Sequence, residues 1–109
     1  MPETMKYLDC CDKPDLENEK LFLSTDCEMV AIRRCLMCGC HWFYRLQECP
    51  DITDGYDRKI WYVRLDPEET DALLELAEAP EYDYFADRLG FLMDETGMNS
   101  IQGIPYFLL

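Results

Sequence analysis

The stretch Cys35-Leu36-Met37-Cys38-Gly39 constrains this chain more than any other. Two thiolate donors two residues apart, followed by glycine, form one half of a zinc knuckle. The spacer lets both sulfurs face one point, and Gly39 permits the positive-φ turn that aims backbone N–H groups at them. An upstream pair, Cys10-Cys11, supplies a second half at a workable separation. The expected centre is therefore a structural zinc ion on Cys10, Cys11, Cys35 and Cys38. Neighbouring side chains in extended backbone diverge, so Cys10 and Cys11 make a cramped pair. Cys40, His41 and Cys27 stand in reserve for the fourth position, and Cys40 and Cys49 otherwise read as structural thiols.

Other chemistries for the same residues are weaker. Free cysteine is among the most buried residue types, so a set of core thiols is the plain alternative. A redox CxxC normally opens a helix whose dipole acidifies the thiol, whereas this one lies between strand-like segments. A catalytic zinc needs an open water position and a general base. His41 is the single histidine, and an enzyme is not expected.

Seven cysteines in 109 residues would suggest disulfides in a secreted protein, but in a reducing compartment they read as metal ligands or buried thiols. Residues 1–13 are polar and lack an apolar h-region, and no run of 18 apolar residues occurs, so a cytoplasmic protein without a membrane span is expected. The chain is 49% hydrophobic and 13% aromatic, enough for one domain with a modest core.

The net charge of −13 is unevenly placed. Residues 66–109 carry 11 acidic residues and only Arg88 as a base, a balance of −10. Nucleic-acid affinity comes largely from neutralised phosphates, so this sign argues against direct DNA or RNA binding. A strong negative field instead speeds encounter with a basic protein partner.

Along the chain, residues 6–10 and 21–23 suggest short strands, with a loop at 12–19 between them. Residues 28–34 (EMVAIRR), 41–46 (HWFYRL) and 59–65 (KIWYVRL) are stronger strand candidates, with a loop at 49–57. In the last of these, Ile60, Tyr62 and Arg64 face one side, and Trp61, Val63 and Leu65 the other. Asp66-Pro67-Glu68-Glu69 marks a helix start, with Asp at the N-cap and Pro at the first helical position. That helix is expected to reach Ala79, burying Leu73, Leu76 and Ala77. A second helix is expected over 82–96, with Phe85, Leu89, Leu92 and Met93 inward and Gly97 as its stop. Residues 98–109 form an apolar tail that packs back on the domain or docks on a partner.

The expected fold is thus one α+β domain over 1–109. A small antiparallel sheet with a zinc-knuckle hairpin occupies 1–65, followed by two acidic C-terminal helices over 66–97. Glu68, Asp71, Glu75 and Glu78 would stripe the first helix; Asp83, Asp87 and Asp94 would share a face of the second. With Tyr82 and Tyr84, and nearby Tyr56, Tyr62 and Trp61, as aromatic anchors, these carboxylates form the candidate partner-binding surface.

The arrangement Cys10-Cys11 … Cys35-Leu36-Met37-Cys38-Gly39-Cys40-His41-Trp42, followed by Trp61-Tyr62-Val63-Arg64-Leu65 and the Pro67-Glu68-Glu69 helix start, resembles small bacterial proteins with a rubredoxin-like or zinc-ribbon knuckle. It also looks like the compact acidic immunity proteins that neutralise bacterial toxins. The resemblance covers roughly residues 7–75. It implies a non-enzymatic inhibitor that occludes a basic toxin or nuclease. Two alternatives stand beside it: a nucleic-acid mimic that blocks a host nuclease, and a small metal- or thiol-dependent enzyme using Cys35, Cys38 and His41.

Overall fold

Period-two alternation runs through the middle of the chain, and each such run forms a strand. The computed structural model describes residues 10, 14–51, 55–94 and 97–105. Strands β1 (Leu16–Ser24), β2 (Glu28–Cys35), β3 (His41–Asp51) and β4 (Gly55–Leu65) follow one another. Helix α1 (Pro67–Leu74) and a 3-10 turn (Tyr82–Phe85) come next, then β5 (Leu89–Asp94) and β6 (Gly97–Gln102). All six strands join one antiparallel sheet in sequence order, a simple meander.

The sheet carries a core on each face. Val30, Ile32, Phe43, Trp61, Val63 and Leu65 point to the face covered by Leu73 of α1 and Phe85 of the 3-10 turn. Ala31, Trp42, Tyr44, Ile60 and Tyr62 point to the other. The division of residues 60–65 between two faces is the one the alternation requires. Rings dominate both layers: Phe43 lies 4.6 Å from Phe85 and 5.4 Å from Trp61, and Trp42 meets Tyr62 edge-on at 6.0 Å. Such pairs add to the burial of area that aromatic side chains already contribute.

The arginines within these layers find partners for their terminal nitrogens, while Arg33 Nε and Arg45 Nε make no hydrogen bond. Buried Arg45 donates to the Leu46 carbonyl and to Glu28 Oε2, each at 2.9 Å. Arg33 donates to Tyr62 Oη at 3.1 Å and stacks over Tyr44.

The expectation of two C-terminal helices is overturned. The structure is mostly sheet, and α1 is its one helix longer than a turn among the described residues. The signal at 66–69 is correct: Asp66 is the N-cap, Pro67 opens the helix, and the Glu69 carboxylate accepts the Asp66 N–H at 2.7 Å. But α1 ends at Leu74 instead of Ala79. Leu76 and Ala77 are exposed, so beyond Leu74 the segment has no apolar face to hold it against the sheet.

In the expected second helix, residues 82–94 form a 3-10 turn and strand β5 instead, and 95–96 lie outside the described residues. Gly90 explains the choice. A Cβ at this position would lie 2.5 Å from the Tyr62 carbonyl oxygen, so β5 closes on β4 where the backbone is bare. Leu92 is buried at 6% exposure while Leu89 is 69% exposed, which no common inward stripe allows. Gly97, expected as a helix stop, has φ +110 and turns the β5–β6 hairpin opposite Asp94.

Smaller corrections concern the loops. β1 begins inside the expected loop at 12–19, and β3 and β4 extend into the expected loop at 49–57. Ile101 belongs to β6, and both it and Ile104 pack on the helix-side core, so the described part of the tail returns to the domain. Of the expected strand at 6–10 only Cys10 is described, as a bend, and the last four residues lie outside the described residues. No helix among the described residues is long and apolar enough to cross a membrane.

Candidate metal centre

The knuckle is the turn between β2 and β3. Gly39 takes φ +84, the left-handed conformation that only glycine adopts at low cost. The turn is closed by Gly39 N–H donating to the Cys35 carbonyl and Cys35 N–H donating to the Cys40 carbonyl, each at 2.8 Å. Leu36 N–H donates to the Asp15 carbonyl at 2.7 Å, which ties the segment before β1 to the hairpin tip.

Three sulfurs converge here. The Sγ atoms of Cys10, Cys38 and Cys40 all lie within 4.8 Å of one another, with Cys38 and Cys40 at 3.4 Å. Zinc–thiolate bonds of about 2.3 Å in a tetrahedron place sulfurs about 3.8 Å apart, so these three residues are close enough to hold one ion. Of the expected ligands, Cys10 and Cys38 belong to this group and Cys35 does not; Cys40, a reserve, is the third member. Cys11 lies outside the described residues.

Cys35 stands next to the three. Its side chain is fully buried. Burial alone would raise its pKa, but N–H groups of Asp15, Cys38 and Met37 donate to the sulfur, and with the Cys38 thiol they bring it down to about 6. This is the amide cradle that CxxCG spacing is built to provide. Cys10 and Cys40 behave oppositely. Burial, then contact with the Cys40 and Cys38 thiols, pushes Cys10 up to about 12. Cys40 is raised by burial and by Cys38.

Trp42 gives a separate sign that charge belongs here. Its indole is 1% exposed and its Nε1 makes no conventional hydrogen bond. That N–H favours the thiolate form of Cys10. A buried N–H facing sulfur fits a metal-bound thiolate, for which outer N–H groups are the usual support. Sequence reading missed this residue. The signal was available: Cys40 and Trp42 are two residues apart entering β3, and positions i and i+2 share a face.

The remaining candidates fall elsewhere. His41 Nε2 engages Glu19 Oε1 at 2.8 Å. Cys27 precedes β2, at the end remote from Cys35. A cleft of about 430 Å³ runs from Cys40 and His41 past Arg64 to Asp66 and Asp71 at the start of α1, lined by both signs of charge.

Of the expected partner-binding residues, Glu68 and Asp71 are exposed on α1, Glu75 caps its end, and Asp83 and Asp87 are exposed on and after the 3-10 turn. Asp94 lies on β5, so the shared helical face expected for Asp83, Asp87 and Asp94 is not formed. Tyr84 is 47% exposed and donates to Glu69 at 2.6 Å. Tyr82 is half-buried against Trp61, ring centroids 5.8 Å apart. Trp61 and Tyr62 are core residues and offer no anchor. The chain matches no protein-family model, no curated protein and no solved structure.

Proposed function

We propose that this protein is a non-enzymatic, zinc-clipped acidic binding protein that occludes a basic partner, in the manner of an immunity protein acting on a bacterial toxin or nuclease. The observation that carries this reading is a run of exposed carboxylates. Between residues 66 and 87, Asp66, Glu68, Asp71, Glu75, Glu78, Glu81, Asp83 and Asp87 are all exposed. No lysine or arginine lies within this segment; Arg88 at one end pairs with Glu69, and exposed Arg64 stands at the other. The field that a partner meets over this segment is therefore negative.

Zinc suits the clip because thiolates select soft or borderline ions, and Cys35 beside Cys38 is the natural fourth ligand. Cys10, Cys27, Cys35, Cys38 and Cys40 are not joined in disulfides, which supports a cytoplasmic setting. The mimicry of nucleic acid is the weaker alternative, since the regular helical spacing of Asp83, Asp87 and Asp94 on which it drew is absent. The test is the affinity for a basic toxin or nuclease measured across a salt series, with Glu68, Asp71, Asp83 and Asp87 reversed to lysine in a second protein. Affinity should fall steeply with salt and with charge reversal. Binding indifferent to both would sink the proposal.

A further inference from the structure

The metal centre sits at the margin of one core of the sheet and is remote from the other. Ile32, Phe43, Trp61, Val63 and Phe85 are buried on the helix-covered face, whereas Cys10 and Cys40 pack on the margin of the opposite cluster. The six strands already follow one another through consecutive antiparallel pairings. What the three sulfurs add is a link from Cys10, upstream of β1, to Cys38 and Cys40 at the β2–β3 turn. Asp15 is fastened to the same turn through its backbone. Cys10 is joined to it through sulfur, and beneath Cys10 lies Trp42, 1% exposed and edge-on to Tyr62.

We propose that the ion is a latch: it pins Cys10 over Trp42, and its removal uncovers this end of the aromatic face while the six-stranded sheet stays folded. This rests on the reading of the three cysteines as zinc ligands. It differs from the behaviour of small zinc domains, in which the ion and the fold are lost together. Here two cores built on β2, β3 and β4 remain when the sulfurs separate.

The experiment uses the full chain loaded with zinc and then stripped by a chelator. Zinc is read by elemental mass spectrometry, the sheet by far-UV circular dichroism, and Trp42 by acrylamide quenching. The chain has two tryptophans, and Trp61, fully buried on the helix side, is the internal reference. Stripping should turn one of the two tryptophans from shielded to quenchable and leave the dichroism unchanged. Cys10→Ser should show the same quenching with zinc present. A chain that takes up no zinc removes the ligand reading and the latch with it. Zinc uptake followed by stripping that leaves both tryptophans shielded overturns the latch and spares the ligand reading. Loss of the sheet on stripping overturns it too, because the ion would then hold the fold. Shielded tryptophans in Cys10→Ser would likewise overturn it.

Discussion

Gly90 and Glu69 decide more of the local structure than any other pair of residues outside the knuckle. Gly90→Ala puts a methyl group 2.5 Å from the Tyr62 carbonyl oxygen. Both groups are backbone-fixed, so the expected loss is about 1–3 kcal/mol in denaturant unfolding. Gly39→Ala meets nothing within 4 Å and pays only for its positive φ, about 1–2 kcal/mol. Glu69 gathers three contacts at the start of α1: the Arg88 guanidinium, the Tyr84 hydroxyl and the Asp66 N–H. Burial would raise its pKa, but Arg88, Tyr84 and the Asp66 amide hold it below the ordinary 4.5. A depressed carboxylate pKa stabilises the fold above its unfolded value, and that contribution drains away as pH falls through the folded value. Glu69→Gln should therefore cost about 1–3 kcal/mol at neutral pH. The gap between wild type and variant should close in acid, below pH 4.5; a gap that persists unchanged there would contradict the assignment.

At the scale of elements, β5 is the sharpest test of the sheet. A helix over 82–96 would turn Leu89 and Leu92 to the same interior. In the strand, Leu89 is 69% exposed and Leu92 is 6% exposed. Leu89→Glu should leave the melting temperature nearly unchanged, whereas Leu92→Glu should unfold the protein or lower its stability by several kcal/mol, as a buried unpaired charge does. Equal damage from both would favour a helix. Strands β2, β3 and β4 and the α1 start were legible because their signals are local: alternation of Val30 and Ile32, of Trp61 and Val63, and Pro67 after Asp66. β5 was not. Phe85, Leu89, Leu92 and Met93 satisfy helical spacing on paper, and what overrides it is tertiary, the bare backbone of Gly90 against Tyr62. The end of α1 was misplaced for a related reason, since Leu76 and Ala77 find no surface to pack on.

Across the whole molecule, the sheet separates two surfaces of different chemistry. The helix-side cap, residues 66–87, carries exposed carboxylates over a core of Trp61, Phe43 and Phe85. The opposite face carries sulfur and aromatic rings. The knuckle was legible because CxxCG is a local motif with a fixed geometry. The partner from upstream was legible only as a pair, and Cys40 rather than Cys35 joins Cys10 and Cys38 in the described cluster. That depends on how the hairpin tip meets the segment before β1, which no spacing rule states. The measurement that tests the centre most directly is the zinc content per chain of the full protein, beside Cys38→Ser, Cys40→Ser and Cys27→Ser variants. One zinc per chain, lost or markedly weakened in the first two variants and retained in Cys27→Ser, is the result expected. A chain that binds no zinc, or binds it equally well without Cys38 and Cys40, would contradict the account.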